Sequence, residues 1–260
     1  MSISSRRKVF ALVAIVGAGA LAAGCSSGSS GPACDPCGAA GSSNGGGTVT
    51  PAGHTTNPDG IPYPSPAGGY GHKARVGTVA GHITPGNIIA NLRFYGYVNG
   101  DTTKYEVVSL ADYYDPCQKR YKVLHLSVAG VWCNPCNMET DALVAAKSLL
   151  DSDGVVVLQA LSDGPSEGVG ATQMDLTYWV NRHKSNFTEV LDPGPTQFGG
   201  FFIANEIPWN ADVDPRTMEL LSSSTGWNGD VAMTVQPGLN AVAMPPPPPL
   251  TVNTSLCNDQ

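Results

Sequence analysis

The chain has 260 residues, of which 13% are charged, with 31 glycines and 21 prolines. That balance predicts one ordinary globular domain flanked by segments that do not fold alone. The formal net charge is −7, three units more negative if Arg6, Arg7 and Lys8 leave with a cleaved leader; such a surface argues against nucleic acid as a partner and against adhesion to anionic lipid by charge alone.

Residues 1–24 read as a targeting segment rather than part of the fold. Arg6-Arg7-Lys8 form a basic stretch, and Val9 to Ala23 form an apolar run too short to span a bilayer comfortably. Leu21-Ala22-Ala23-Gly24-Cys25 follows. Small residues before a cysteine, directly after an apolar run, resemble a bacterial lipoprotein signal. In that family the residue matching Cys25 is lipidated and becomes the new N-terminus. Ala22 departs from the pattern, where Leu is commoner. The alternatives are an ordinary secretory signal with a chance cysteine and, from Ser5-Arg6-Arg7, a twin-arginine export signal. Each places the mature protein outside the cytoplasm, with the lipid reading anchoring it to a bacterial membrane on its periplasmic side. Disulfides persist in that compartment. Six cysteines remain after Cys25: Cys34, Cys37, Cys117, Cys133, Cys136 and Cys257.

Residues 25–71 are dominated by Gly, Ser, Pro, Ala, Thr and Asn and predict a flexible tether, with a root-mean-square reach of roughly 35–40 Å. Within it, Cys34-Asp35-Pro36-Cys37 is a close pair with no strand or helix pattern around it. It reads as a local disulfide, with an electron relay to Cys133 and Cys136 as the alternative.

The domain is expected over residues 72–240. Asn91 to Val98 reads as a strand, Asn99-Gly100-Asp101 as a turn, and Tyr105 to Leu110 as the returning strand of a hairpin. Ala111 to Tyr114 is a short turn or helix. Tyr121 to Ala129 is a strong strand, and a helix is expected from Cys133 to Leu150, with Met138, Ala142, Ala145 and Leu149 along one face and Gly154 as its stop. Val155 to Leu158 is an apolar run suited to a buried parallel strand. A second helix over Ala171 to Lys184 offers Met174, Trp179 and Val180 to the core. Thr188 to Leu191 is a short strand; Trp209 to Asp214 and Met218 to Ser222 form two more. This order implies an α/β mixed sheet with helices on both faces. Residues 241–260 begin a Pro-rich tail with five consecutive prolines. Cys257 is out of place in a free tail, and Cys117 is its expected disulfide partner.

Between the strong strand and the first helix lies Trp132-Cys133-Asn134-Pro135-Cys136. Two cysteines two residues apart at a strand-to-helix junction are the pattern of a dithiol/disulfide switch. At a helix N-terminus, unpaired N–H groups and the dipole stabilise the Cys133 thiolate. Pro135 suits the first turn, and Cys136 is the more buried, resolving thiol. A structural disulfide or half of a metal site is the alternative for the same two residues.

Trp-Cys-x-Pro-Cys after a strand, Glu139 three residues beyond the second cysteine, and the later Ile207-Pro208 resemble extracytoplasmic thioredoxin-fold proteins of the TlpA/ResA type. The resemblance covers about Leu92 to Trp227, including Val108 to Tyr113, Leu191-Asp192-Pro193 within the strand–helix insertion of Gly154 to Glu206, and the final hairpin. It implies a thioredoxin-like fold, with an N-terminal hairpin extension and that insertion added to a mixed sheet flanked by helices. It also implies Cys133 as attacking thiol, Cys136 as resolving thiol, Trp132 beside the exposed sulfur, and Pro208 as a cis proline against the dithiol, with the Ile207 backbone meeting substrate. Glu139 matches a carboxylate near the active site, able to shuttle a proton for Cys136; its other reading is a glutamate complementing the helix dipole. Ser127 stands where thioredoxins carry a buried acid. Asn210, Asp212 and Asp214 make the strand after Pro208 more polar than the family's, which reads as a solvated or bulged strand, with Asp212 as a buried carboxylate as the alternative.

The function implied is a membrane-anchored thiol–disulfide oxidoreductase with protein disulfides as substrates, needing no cofactor and recharged by a membrane electron donor if it acts as a reductant. The alternative is a copper or other soft-metal carrier using the same two thiols; no histidine lies at a convincing ligand spacing, His125 and His183 reading as structural or exposed. A peroxidase of the peroxiredoxin type is a further option, against which stands the absence of a Pro-x-x-x-Thr-x-x-Cys pattern.

Overall fold

The computed structural model describes residues 50–64, 83, 85–203, 206–244 and 257. The leader, Cys25, the Cys34/Cys37 pair and most of the tether and tail lie outside the described residues.

A seven-stranded sheet carries the domain. Its strands are β1 (Arg93–Tyr97), β2 (Tyr105–Ser109), β3 (Val123–Gly130), β4 (Val155–Asp163), β5 (Thr188–Leu191), β6 (Trp209–Asp214) and β7 (Glu219–Thr225). Their spatial order is β2-β1-β5-β4-β3-β6-β7. Strands β3, β4 and β5 are parallel neighbours, whereas β6, β7 and the β1–β2 hairpin pair antiparallel. The hairpin turns at Asn99 and Gly100, both at positive φ. The β3-helix-β4 crossover followed by the antiparallel β6–β7 hairpin is the core of a thioredoxin-like fold. The hairpin and the helix–β5 segment that follows β4 are additions at one edge.

The α-helices are α1 (Asn134–Ala145), α2 (Lys147–Asp153), α3 (Gln173–His183) and α4 (Val231–Val242). The single helix expected to Leu150 breaks at Ala146 into α1 and α2 and ends at Gly154, whose φ of 77° is the left-handed C-terminal stop. Helix α3 starts at a reciprocal Thr172–Asp175 cap.

Strand β3 is buried along its whole length, and its alternation sorts the core. Leu124, Leu126 and Val128 face a cluster with Phe94, Phe198 and Trp209 in which no residue of α1–α4 takes part. Val123 and Ala129 face the helices, packing with Leu143 and Val235 in one cluster and with Leu176 and Trp179 in another. The helices therefore share one face, and loops close the other, where helices had been expected on both. The apolar stripe read on the first helix is also displaced: Met138 and Leu149 are more than half exposed, as is Met174 on α3, while Cys136, Glu139, Thr140 and Leu143 are buried.

The tether reading fails for residues 50–64. Ile61 joins the core. Asn57 accepts from the Asp59 and Ile61 N–H groups and donates to the Tyr114 carbonyl, closing an Asx turn on the domain. The Tyr63 hydroxyl donates to the Ile89 carbonyl at 2.8 Å, and Arg120 pairs with Asp59. A few anchored side chains order a segment whose overall composition is that of a linker. Helix α4, spanning the expected domain end, holds Pro237 in its interior, which masks it from a reading by helix signals.

Candidate redox site

Cys133 caps α1: its Sγ accepts the Cys136 N–H at 3.2 Å, and Pro135 lies in the first turn. A disulfide joins Cys133 to Cys136. Both are buried, Cys133 at 2% and Cys136 at 0% exposure. The Ile207–Pro208 peptide bond is cis, and the Ile207 carbonyl oxygen lies 3.7 Å from Cys133 Sγ. Chain positions 74 apart thus meet at the sulfur. Trp132 is half-buried and donates Nε1–H to Asp163 Oδ2 at 2.9 Å; Asp163 also accepts the Gly168 N–H. Gly130 permits this convergence, since a Cβ there would come within 3.0–3.1 Å of Ile207, Asp163 and Trp132. A cavity of about 180 Å³, lined by Asp163, Gly168, Gly194, Pro195, Phe202 and Ile207, opens beside the group.

Beneath the dithiol, α1 buries Glu139 one turn after Cys136. Glu139 Oε1 accepts from the Ser127 hydroxyl and Oε2 from the Asn210 amide, each at 3.1 Å. Burial pushes its pKa up, against the opposing pull of Asn210, His125 and Ser127. Glu139 therefore points into the sheet, not toward a solvent-exposed helix end. Ser127, Asn210 and Gln159 form one transverse row, because Ser127 pairs with both other residues across β3. Gln159 donates to Ser127 at 3.2 Å and accepts from Trp179 Nε1 at 3.0 Å.

The polar strand β6 is fully buried, not solvated, with a register shift at Asp212/Val213 where it pairs with β7. Asp212 lies 2.9 Å from His125 Nδ1, and His125 Nε2 is 3.2 Å from Asn210 Oδ1. His183 is buried too, its Nδ1 2.6 Å from Asp141. The sequence reading did not assemble His125, Asn210, Gln159 and Trp179 around Glu139. The available signal was polar residues at alternate positions of strands: His125 and Ser127 on the apolar β3, Asn210 and Asp212 on the polar β6.

Cys117 and Cys257 are joined by a disulfide at the start of the β3 region. Among the described residues, no group of three or more His, Cys, Asp or Glu side chains is placed to hold a metal ion, and no helix is long and apolar enough to cross a membrane.

No family model matches the chain, and no curated protein matches it. Similar solved structures include a DsbF homologue from Corynebacterium diphtheriae, at 20% identity over 69% of this chain and 97% of that one, with a TM-score of 0.46. A secreted thiol-disulfide isomerase from Corynebacterium glutamicum is 17% identical over 58% of this chain and 85% of its own, TM-score 0.44. The exposed lipoprotein thioredoxin Etrx1 from Streptococcus pneumoniae is 20% identical over 58% and 99%, TM-score 0.42.

Proposed function

We propose that this protein is an extracytoplasmic thiol–disulfide oxidoreductase, anchored to a membrane through lipid on Cys25 and acting as a reductant of protein disulfides. The observation that carries the reading is the Cys133–Cys136 disulfide at the α1 N-terminus, 3.7 Å from the Ile207 carbonyl at the cis proline, with Glu139 buried one turn behind.

The cycle starts with both cysteines reduced. The Cys133 thiolate attacks one sulfur of a substrate disulfide, forming a mixed disulfide and releasing the substrate's other sulfur as a thiolate that takes a proton. Glu139 accepts the Cys136 proton, and the Cys136 sulfur attacks Cys133 Sγ. The Cys133–Cys136 disulfide forms, the substrate leaves as a dithiol, and two electrons have passed to it. A second dithiol, supplied by a membrane electron donor, reverses the exchange on the protein. The Ile207 backbone pairs with an extended substrate segment, Pro208 lies against the dithiol, and Trp132 borders the reacting sulfur.

The test is exchange with glutathione and dithiothreitol. Cys133→Ser abolishes it, and Cys136→Ser accumulates mixed disulfides; a Cys133→Ser variant retaining full exchange overturns the assignment. A reduction potential near about −270 mV supports the reductant, whereas one near about −120 mV marks an oxidant that introduces disulfides.

A further inference from the structure

Glu139 lies where two hydrogen-bond chains converge, and donor counting fixes the direction of each. In the first, the Trp179 indole can only donate, so Gln159 must present Oε1 to it and Nε2 to Ser127. The Ser127 hydroxyl, receiving that N–H, then gives its own proton to Glu139 Oε1. In the second, Ser222 Oγ accepts the Asp212 N–H and returns its proton to Asp212 Oδ2 at 2.7 Å, where the Gly238 N–H also donates at 3.0 Å. Asp212 Oδ2 thus only accepts, and one proton lies between Asp212 Oδ1 and His125 Nδ1, 2.9 Å apart. Asn210 gives Nδ2–H to Glu139 Oε2, so its Oδ1 faces His125 Nε2, which must carry a proton as well. The network is satisfied with a proton on His125 Nε2, a second between His125 Nδ1 and Asp212 Oδ1, and Glu139 as a carboxylate.

The alternative is a neutral His125 without the Nε2 proton. Asn210 would then turn its amide N–H to His125 and its oxygen to Glu139, and Glu139 would have to be protonated. The Trp179 chain cannot respond in this way, because indole does not titrate in this range. The His125–Asp212 end is the adjustable one.

We propose that His125 and Asp212 are positioning residues that lock the Asn210 amide with its N–H toward Glu139, and so hold Glu139 in the carboxylate form that accepts the Cys136 proton. The inference rests on the oxidoreductase reading above. Burial opposes charge on His125, but Asp212, Glu139 and Asn210 together carry its pKa above the ordinary value. The groups facing the pair from each packed element are Glu139 on α1, Asn210 and Asp212 on β6 and Ser222 on β7. Gln159 of β4 and Trp179 of α3 reach it only through Ser127. Helix α4 contributes the Gly238 backbone, and its buried residues Val231, Val235, Gly238 and Ala241 carry no titratable group. Glu189 lies one strand beyond Gln159 in the same row, and the His183–Asp141 pair joins α3 to α1.

The experiment is the pH profile of dithiol oxidation by oxidised dithiothreitol in the full chain. His125→Leu alone leaves the buried Asp212 Oδ1 without its imidazole partner, so the double variant His125→Leu/Asp212→Leu, which removes both members of the pair together, is measured beside it. The wild-type profile falls on its acid side through the Cys133 thiolate and through a second limb from Glu139, and Glu139→Gln removes that second limb. In the double variant the Glu139 limb moves at least one pH unit upward, which is a tenfold slower rate below its midpoint. Adding the pair of substitutions to Glu139→Gln produces no further change in the profile. A folded double variant whose acid limb stays in place overturns the positioning role and leaves the oxidoreductase reading intact. A Glu139→Gln acid side that coincides with the wild-type one overturns the inference at Glu139. A wild-type chain that does not exchange at any pH sinks both.

Discussion

Gly238 of α4 gives its backbone N–H to the Asp212 carboxylate of β6 at 3.0 Å, and a Cβ built on Gly238 would lie 2.5 Å from Asp212 Cβ. The helix therefore seats on the strand by bare backbone, next to the His125–Asp212 pair. The nearest atoms belong to the root of a buried strand residue, which cannot swing away. Gly238→Ala is expected to destabilise the fold by about 1–3 kcal/mol through overpacking, read as a lowered urea midpoint at unchanged slope. An unchanged midpoint would show that α4 shifts freely on the sheet.

Glu189 provides a pH signature of stability. Burial pushes its pKa up to about 8, against the hydrogen bond from Ser185. Between about 4.5 and 8 the unfolded chain has released this proton and the folded chain has kept it. The folded state binds more protons there, so unfolding free energy falls as pH rises through that window. At about 1.4 kcal/mol per pH unit, the effect reaches a few kcal/mol in total. Glu189→Gln should flatten this fall, so the difference between variant and wild type in denaturant titrations grows from pH 5 to pH 8. A constant difference would place the ionised carboxylate in the fold.

Glu139→Gln is expected to slow dithiol exchange near neutral pH by about a hundredfold, the lower end of what a positioned acid–base group contributes. Stopped-flow oxidation of the reduced protein measures it. Rates equal to wild type would assign the Cys136 proton to solvent.

The Cys117–Cys257 disulfide closes a loop of sequence separation 140. Cys257→Ser should cost about 2–5 kcal/mol. Denaturation of the two chains without reductant gives the difference, and equal midpoints would show that the bridge holds only the tail.

Residues 50–64 contribute to the fold through Ile61, which is 6% exposed in the main cluster. Ile61→Ala is expected to cost about 2 kcal/mol, at the low end for buried aliphatic truncation because the site is peripheral. A chain beginning at residue 72 should melt well below one beginning at residue 50. Equal melting temperatures would return this segment to the tether.

Much of the fold was legible locally. Runs such as Val155 to Leu158, the Asn99-Gly100 turn and the Gly154 stop depend on neighbours in sequence, and strand β5 falls on the expected Thr188 to Leu191. Helices α1 and α2 show where local reading fails. The apolar stripe expected through Met138 of α1 and Leu149 of α2 faces solvent, and the face that α1 turns to the sheet carries Glu139 and Thr140 over a polar row. Amphipathic patterning locates a core face only when that core is apolar.

By itself the sequence determined the Trp-Cys-Asn-Pro-Cys junction, because a strand, two spaced cysteines and a helix start are all local features. Only the tertiary structure decided what surrounds it. Ile207 reaches Cys133 across 74 positions, and Asp212 reaches His125 across 87. In sequence, the residues of β6 are polar interruptions of a short strand. Paired against β3 and sealed beneath α1 and α4, they must find partners, since an unpaired buried polar group is costly. Their pairing through Asn210 connects a buried histidine and aspartate to the glutamate one turn from Cys136.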